Sequence, residues 1–287
     1  MRRTVTRWRA DQADGGAILV ATSARTHFAW DDAAVVVTGA SSGLGRAIAL
    51  AAAGRGARLG LIARSHDALH ATLAAAGGRG AVAACDLADA ASTAAAFDAL
   101  RDALGPVDVL VCAAGAGAFG AFADIDAAAI DALVATNVLG TLHPVAAVVP
   151  DMVARGRGRI ALIGSIAGRV GVPQETTYAA TKAAVAGLGR SLAAELAEHG
   201  IVVTTVHPGP IDTPFFATRG HPYDRRWPRP LPADRVARSV MRAIERGRTD
   251  VVVPRWLRAA VVVDAVWPSL YRRGAARSAA AGGRGAP

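Results

Sequence analysis

The chain has 287 residues, of which 52% are hydrophobic and only 5% aromatic, and it carries a formal net charge of +9. That length fits one large α/β domain, or at a stretch two small ones, and a core of Ala, Val, Leu and Ile suits a parallel sheet buried on both faces. The positive charge does not mark a nucleic-acid binder: the arginines are spread along the chain, crowding mainly before residue 10 and after residue 218, with no lysine-rich tail and no zinc-finger spacing.

Other classes are excluded on similar grounds. No apolar run approaches the ~18 residues of a membrane span, so no transmembrane segment is expected. The apolar stretch Ala17–Ala21 is too short for a signal peptide. Cys85 and Cys112 each close a candidate strand and form no CxxC pair, so both read as core thiols in a reducing compartment. The seven histidines show no metal-ligand spacing. A cytoplasmic protein without a metal is the expectation.

From about residue 33 short apolar runs alternate with longer Ala-rich segments, the pattern of repeated βα units. The predicted strands are Ala34–Thr38, Arg58–Ala63, Ala81–Cys85, Val107–Cys112, Arg159–Ile163, Val202–Val206 and Asp250–Val253. Helices are expected over 44–54, 66–76, 89–104, 126–153, 175–199 and 233–246. Together they predict a Rossmann-type, doubly wound, seven-stranded parallel sheet in a single domain over residues 33–253. Residues 1–32 form an N-terminal extension that reads as a disordered tail or a misassigned translation start. Residues 254–287 form a C-terminal extension ending in a Gly/Ala/Arg tail, expected to be disordered.

The first strand runs into Thr38-Gly39-Ala40-Ser41-Ser42-Gly43-Leu44-Gly45 and then an apolar helix. Glycines permit the tight turn and let backbone approach a pyrophosphate, while the helix N-terminus offers free N–H groups and partial positive charge. The second strand ends at Ala63, where an NAD-binding fold commonly places an acid, and Arg64 follows at once. An arginine there pairs with a 2′-phosphate, which predicts NADP(H) over NAD(H); a solvated surface arginine is the alternative.

Lys182 is the only lysine and Asn137 the only asparagine in the chain. The scarcity fits a biased codon usage, and Lys182 stands where arginine cannot replace a compact ammonium of tunable pKa. Tyr178 and Lys182 are spaced i, i+4 and share one helix face. A phenol beside an ammonium is expected to become more acidic, which makes the pair a proton-transfer device.

With these residues assembled, the chain resembles the short-chain dehydrogenase/reductase family, in its compact single-domain branch, over roughly Ala33 to Val253. Thr38-Gly39-x-x-x-Gly43-x-Gly45 matches that branch's nucleotide motif and Tyr178-x-x-x-Lys182 its catalytic motif. Asn137, Ser165 and the Pro208-Gly209 turn leading to Thr213 follow in the expected order. Where the family usually has Asn-Asn-Ala-Gly, this chain has Cys112-Ala113-Ala114-Gly115, so Gly115 still lets the cofactor pass close while two bracing amides are lost.

The resemblance implies roles. Tyr178 would exchange a proton with the substrate oxygen, Lys182 would lower the phenol pKa and hold the nicotinamide ribose, and Ser165 would hydrogen-bond the carbonyl. Asn137, mid-helix, would hold a water linking Lys182 to solvent. Asp86 resembles the family's adenine-contacting acid, with a helix-capping aspartate as the alternative. Ile211 and Thr213 would contact the carboxamide. The implied enzyme is an NADP(H)-dependent carbonyl reductase or alcohol dehydrogenase, working as a homodimer or homotetramer; a cofactor-retaining epimerase on the same fold and a non-catalytic nucleotide sensor are the alternatives.

Two flanking segments carry further expectations. The loop Pro214–Asp234, with Phe215, Phe216, Tyr223 and Trp227, corresponds to the family's substrate-covering segment and suggests an apolar substrate body. Its Arg219, Arg225, Arg226 and Arg229 meet an anionic group or solvent. Arg255–Arg273, rich in Trp and Leu between arginines, reads as packing against the domain or a second subunit, with membrane-surface contact as the weaker alternative.

Overall fold

The structure is a computed structural model, and residues 28–225 and 227–282 are described. Its first half runs β1 (Ala34–Thr38), α1 (Gly43–Ala53), β2 (Arg58–Ala63), α2 (His66–Ala75), β3 (Gly80–Ala84), α3 (Ala90–Leu104) and β4 (Val109–Cys112). There follow α4 (Ala127–Val134), a π turn (Ala135–Leu139), α5 (Gly140–Arg155), β5 (Gly158–Ile163), α6 (Thr176–Glu195) and β6 (Ile201–Pro208). The last part holds β7 (Ile211–Asp212), α7 (Phe215–Thr218), β8 (Leu231–Pro232), α8 (Ala233–Glu245), β9 (Asp250–Val253), α9 (Arg258–Val266) and α10 (Pro268–Gly282).

Seven strands form one all-parallel sheet in the order β3-β2-β1-β4-β5-β6-β9. Alternation along β1 shows how both faces are buried: Val35 and Val37 enter one core, Ala34 and Val36 the other. The first core is closed by Ile48, Ala49 and Ala52 of α1 and by Val236, Val240, Met241 and Ile244 of α8. In α8 these apolar positions recur at helical spacing, with Arg235, Arg238 and Arg242 outside the buried set. The second core takes Phe97, Leu100 and Leu104 of α3 together with Val145, Val148 and Met152 of α5.

Chain order reverses between β1 and β4, so the loops leaving their C-terminal ends diverge and open a crevice there. The candidate segments 39–45, Arg64, Asp86, Gly115, Ser165 and Pro208-Gly209 all lie at or just beyond the C-terminal ends of strands of this sheet.

The helical stretch 127–155 is long and apolar enough, by length and composition, to cross a membrane. Here it is a layer of the domain, with Val145, Val148 and Met152 in the core against β4 and β5. It is also interrupted: Asn137, expected in regular helix, lies in the π turn. At the N-terminal side Trp30 is buried in the first core and Phe28 N donates to Glu245 O (3.3 Å), so residues just before β1 already pack on the domain. Beyond β9 the chain is helical over α9 and α10, broken at Trp267, and α10 runs to Gly282, into the Gly/Ala/Arg tail where disorder was expected. The remainder of both extensions, residues 1–27 and 283–287, lies outside the described residues.

Candidate active site

The turn after β1 is tightened by backbone proximity. Gly39 has φ +66°, and a methyl on it would lie 2.7 Å from Ala114 Cα and N in the turn after β4. A methyl on Gly45 would collide with Gly39 O, so both positions exclude side chains. Thr38 Oγ1 accepts from Ala113 N (3.1 Å) and Ala114 N (3.3 Å). This hydroxyl braces the turn after β4 against the end of β1.

Across the crevice, Thr213 stands 3.4 Å from the position of a methyl on Gly43. Ser42 is the N-cap of α1, yet its side chain caps no helix amide. The first-turn N–H groups of α1, at Gly43, Leu44 and Gly45, therefore face the crevice between this turn, Ser41 and Thr213. That cradle, too narrow for added side chains and lined by amides and hydroxyls, fits a dinucleotide pyrophosphate.

At the end of β2, Arg64 is exposed and, among the described residues, in no ion pair. Asp86, after β3, is exposed and its Oδ1 accepts from Ala88 N (3.0 Å). It does not cap α3; Asp89 does, accepting from Ser92 N (2.7 Å). After β6, Pro208 and Gly209 turn the chain, Gly209 N donating to Val253 O (2.7 Å). Ile211 then pairs with Leu231 in the small β7–β8 ribbon, which fixes Thr213 opposite Gly43.

Four side chains meet where β4, β5 and α6 converge. Asn137 is fully buried, with Oδ1 accepting from Ala116 N (2.8 Å) and Nδ2 donating to Ala116 O (2.9 Å) and Thr181 Oγ1 (2.9 Å). Thr181 Oγ1 donates onward to Tyr178 O (2.8 Å). The amide thus pins the turn after β4 to α6. The π turn allows it, because the widened turn delivers the amide to both neighbours at once.

Lys182 is buried, its Nζ donating to Ile163 O (3.0 Å), and a methyl on Gly115 would lie 3.3 Å from both that Nζ and Asn137 Oδ1. Ser165 Oγ accepts from Ala167 N (3.1 Å) and lies close enough to Tyr178 to favour its phenolate.

Electrostatics here differ from the expectation of an acidified phenol. Burial raises the Tyr178 pKa well above the ordinary tyrosine value; Ser165 and Arg219 act in the opposite direction, and Glu175 adds to the rise. Lys182 is itself pushed down to about 8 by burial. Its Nζ stands 5.9 Å from the centroid of the Tyr178 ring. In the protein alone, desolvation outweighs the opposing effects of Ser165 and Arg219.

Other neighbours sit in ways the sequence did not show. Arg219, expected to meet an anionic group or solvent, is instead buried: Nη1 is 2.6 Å from Glu175 Oε1, and the guanidinium lies 4.7 Å from both the Phe119 and Phe216 rings. Phe215 stands 5.5 Å from the Tyr178 ring and would touch a methyl on Gly117 at 2.5 Å. His207 of β6 is fully buried behind Gly164, with Nε2 3.4 Å from Asp250 Oδ2. Arg226 lies outside the described residues.

A turn of glycines under a helix N-terminus, a buried lysine one helical turn from a tyrosine and a serine at the next strand end define a dinucleotide-dependent oxidoreductase of the Rossmann type. The short chain dehydrogenase model matches residues 33–224, and the chain belongs to that family, whose members use a nicotinamide cofactor. It is 38% identical over 195 residues to oxidoreductase UcpA of Escherichia coli strain K12, covering 66% of this chain and 74% of the relative. Ketoacyl reductase HetN of Nostoc sp. strain PCC 7120 is 33% identical over 227 residues, 76% of this chain and 77% of that one.

Among solved structures, a short chain dehydrogenase/reductase from Burkholderia phymatum in complex with NAD superposes with TM-score 0.77 at 26% identity, covering 85% of this chain and 96% of the other. An actinorhodin polyketide ketoreductase variant with NADPH gives TM-score 0.72 at 31% identity, covering 78% and 97%.

Proposed function

We propose that the protein is an NADP(H)-dependent reductase of carbonyl compounds, with Tyr178 as the proton donor to the substrate oxygen. The observation that carries the reading is the convergence of Tyr178, Ser165 and buried Lys182 at the crevice edge. Gly39, Ser41, Ser42, Gly43, Leu44 and Gly45 would hold the pyrophosphate, Asp86 and Gly115 the adenosine side and its approach, and Pro208, Gly209, Ile211 and Thr213 the nicotinamide end. When bound, the cofactor supplies the hydride.

The rest is done by the chain. Ser165 orients the carbonyl and stabilises charge growing on its oxygen. Tyr178 gives up its proton to the substrate oxygen. Lys182 holds the ribose hydroxyls, while Asn137 fixes the backbone on which Lys182 and Gly115 depend. Phe215, against Tyr178, and Phe216 beyond it favour a substrate with an apolar body.

Cofactor preference rests on Arg64, since relatives with NAD and with NADPH both occur. An exposed arginine after Ala63, with no acid there, favours a 2′-phosphate. The exposed Leu139, Leu142 and Val134 near the π turn support a homodimer or homotetramer, and two free buried cysteines suit a cytoplasmic setting.

The test follows loss of NADPH absorbance with a panel of ketones and aldehydes. Turnover should fall by about 10²- to 10⁴-fold in Tyr178→Phe. Arg64→Ser should weaken NADPH binding by about 10- to 100-fold and leave NADH binding unchanged. Equal affinity of the parent for NADH and NADPH would end the NADP preference, and turnover retained in Tyr178→Phe would end the proton role.

A further inference from the structure

Trp227, Trp256, Val262, Val266, Trp267 and Leu270 are each 45–66% exposed. They come from two distant parts of the chain, the substrate loop and the C-terminal helices. Trp227 stacks on Trp256 with ring centroids 4.4 Å apart and planes at 27°, which ties the loop to the segment entering α9. Tyr271 Oη donates to Gly171 O (3.0 Å), which ties α10 to the turn that follows Ser165. The apolar face is therefore tied to the 214–234 loop and to the turn that follows Ser165.

α9 is arranged contrary to a helix packed on a core. It contains no buried residue, and Arg258, Val262 and Val266, spaced i, i+4, i+8, share an exposed stripe. A contiguous apolar surface of this kind on a folded chain marks an interaction site.

Charge identifies the occupant. Arg255, Arg258, Arg272 and Arg273 are exposed around the apolar side chains and, among the described residues, enter no ion pair. Between residues 254 and 282 the only acid is Asp264. A second copy docking through the same face would bring two arginine sets together, which like-charge repulsion opposes. An anionic bilayer supplies the missing countercharge. Tryptophans settle at the headgroup level, and arginines extend their guanidinium groups to lipid phosphates while their stems stay in the apolar layer.

We propose that this face, formed by the Trp227 loop tip, α9 and the start of α10, docks on an anionic lipid surface. The docking stands apart from the catalytic reading. Only its consequence depends on that reading: an apolar substrate would then reach Tyr178 from the lipid side, past Phe215.

The experiment is co-sedimentation of the full-length protein with vesicles of phosphatidylcholine alone and of phosphatidylcholine containing phosphatidylglycerol. Binding to the second set is expected, weakened at about 0.5 M salt by screening. Trp256→Ser combined with Trp267→Ser and Leu270→Ser should reduce partitioning by more than about tenfold, as should Arg272→Glu with Arg273→Glu. Circular dichroism and the thermal midpoint of the Arg272→Glu, Arg273→Glu variant, whose side chains are exposed, should match the parent, which separates a docking failure from misfolding.

Three results would overturn the proposal. One is no sedimentation with phosphatidylglycerol vesicles. A second is binding unaltered by both sets of substitutions. The third is a parent that ignores vesicles while the tryptophan substitutions convert an oligomer to a smaller species, which would make a second copy the occupant.

Discussion

Glu175, half-buried, and the buried Arg219 form an ion pair, 2.6 Å apart, that joins the start of α6 to the loop 214–234 across 44 residues of sequence. Glu175 is the residue before the first turn of the helix bearing Tyr178 and Lys182, and its carboxylate goes to Arg219 instead of capping that helix. The guanidinium is further held between Phe119 and Phe216.

Removing Arg219 leaves the half-buried Glu175 carboxylate without its partner. Arg219→Ala should destabilise the protein by about 1.5–3 kcal/mol, and Glu175→Leu with Arg219→Met should recover most of that loss. Urea denaturation of the two singles and the double measures the coupling. A fall in kcat/KM beyond the stability change would show that the pair also holds Phe215 against Tyr178.

Lys182 makes the opposite kind of contribution. Burial lowers its pKa to about 8, against about 10.4 in an unfolded chain. Between those values the folded state binds fewer protons, so stability rises with pH there. The cost of burying the ammonium is fully present below about pH 8 and vanishes above about 10.4, roughly 3 kcal/mol in all.

Lys182→Met should therefore be more stable than the parent near pH 7, by about 2 kcal/mol once the lost hydrogen bond to Ile163 O is allowed for. That advantage should shrink as pH approaches about 10, while activity is lost throughout. Denaturant midpoints at the two pH values check both statements. A site residue that stabilises on removal is one kept for chemistry rather than for folding.

The sheet was legible because its strands carry continuous apolar runs that both faces bury. β1, β2 and β9 coincide with the expected residues. β4 begins at Val109, two residues later than expected, because the Asp108 carboxylate takes the hydrogen bond of Ala34 N (3.1 Å). The two-residue strands β7 and β8 are too short to leave a period in the sequence.

In the site, side chains with distinctive chemistry could be read directly, and the structure brings Asn137, Ser165, Tyr178 and Lys182 to one place. The π turn could not, since Ala135-Thr136-Asn137-Val138-Leu139 contains no breaker. Nor could pairings between distant segments, such as Arg219 with Glu175, because an arginine among 31 carries no local sign of its partner.

His207 belongs to the same hidden category and gives the last prediction. Gly164 N donates to Val206 O (2.8 Å), and a methyl on Gly164 would lie 2.9 Å from His207 Nδ1. The imidazole is thus the back wall of the turn that presents Ser165. On its other side Nε2 faces Asp250 Oδ2, which Arg169 Nη1 holds at 2.6 Å. Burial lowers the His207 pKa more than Asp250 raises it. The folded state therefore holds the ring neutral, and the stability this gives is present above about pH 6.5 and lost as pH falls through the lowered value. The parent should lose more Tm than His207→Gln between about pH 7.5 and 5.5. Gly164→Ala should push the ring and Ser165 apart, lowering kcat with NADPH binding unchanged. Equal pH sensitivity in parent and His207→Gln would assign the acid lability to other groups, and unchanged kcat in Gly164→Ala would show that the turn relaxes without moving Ser165.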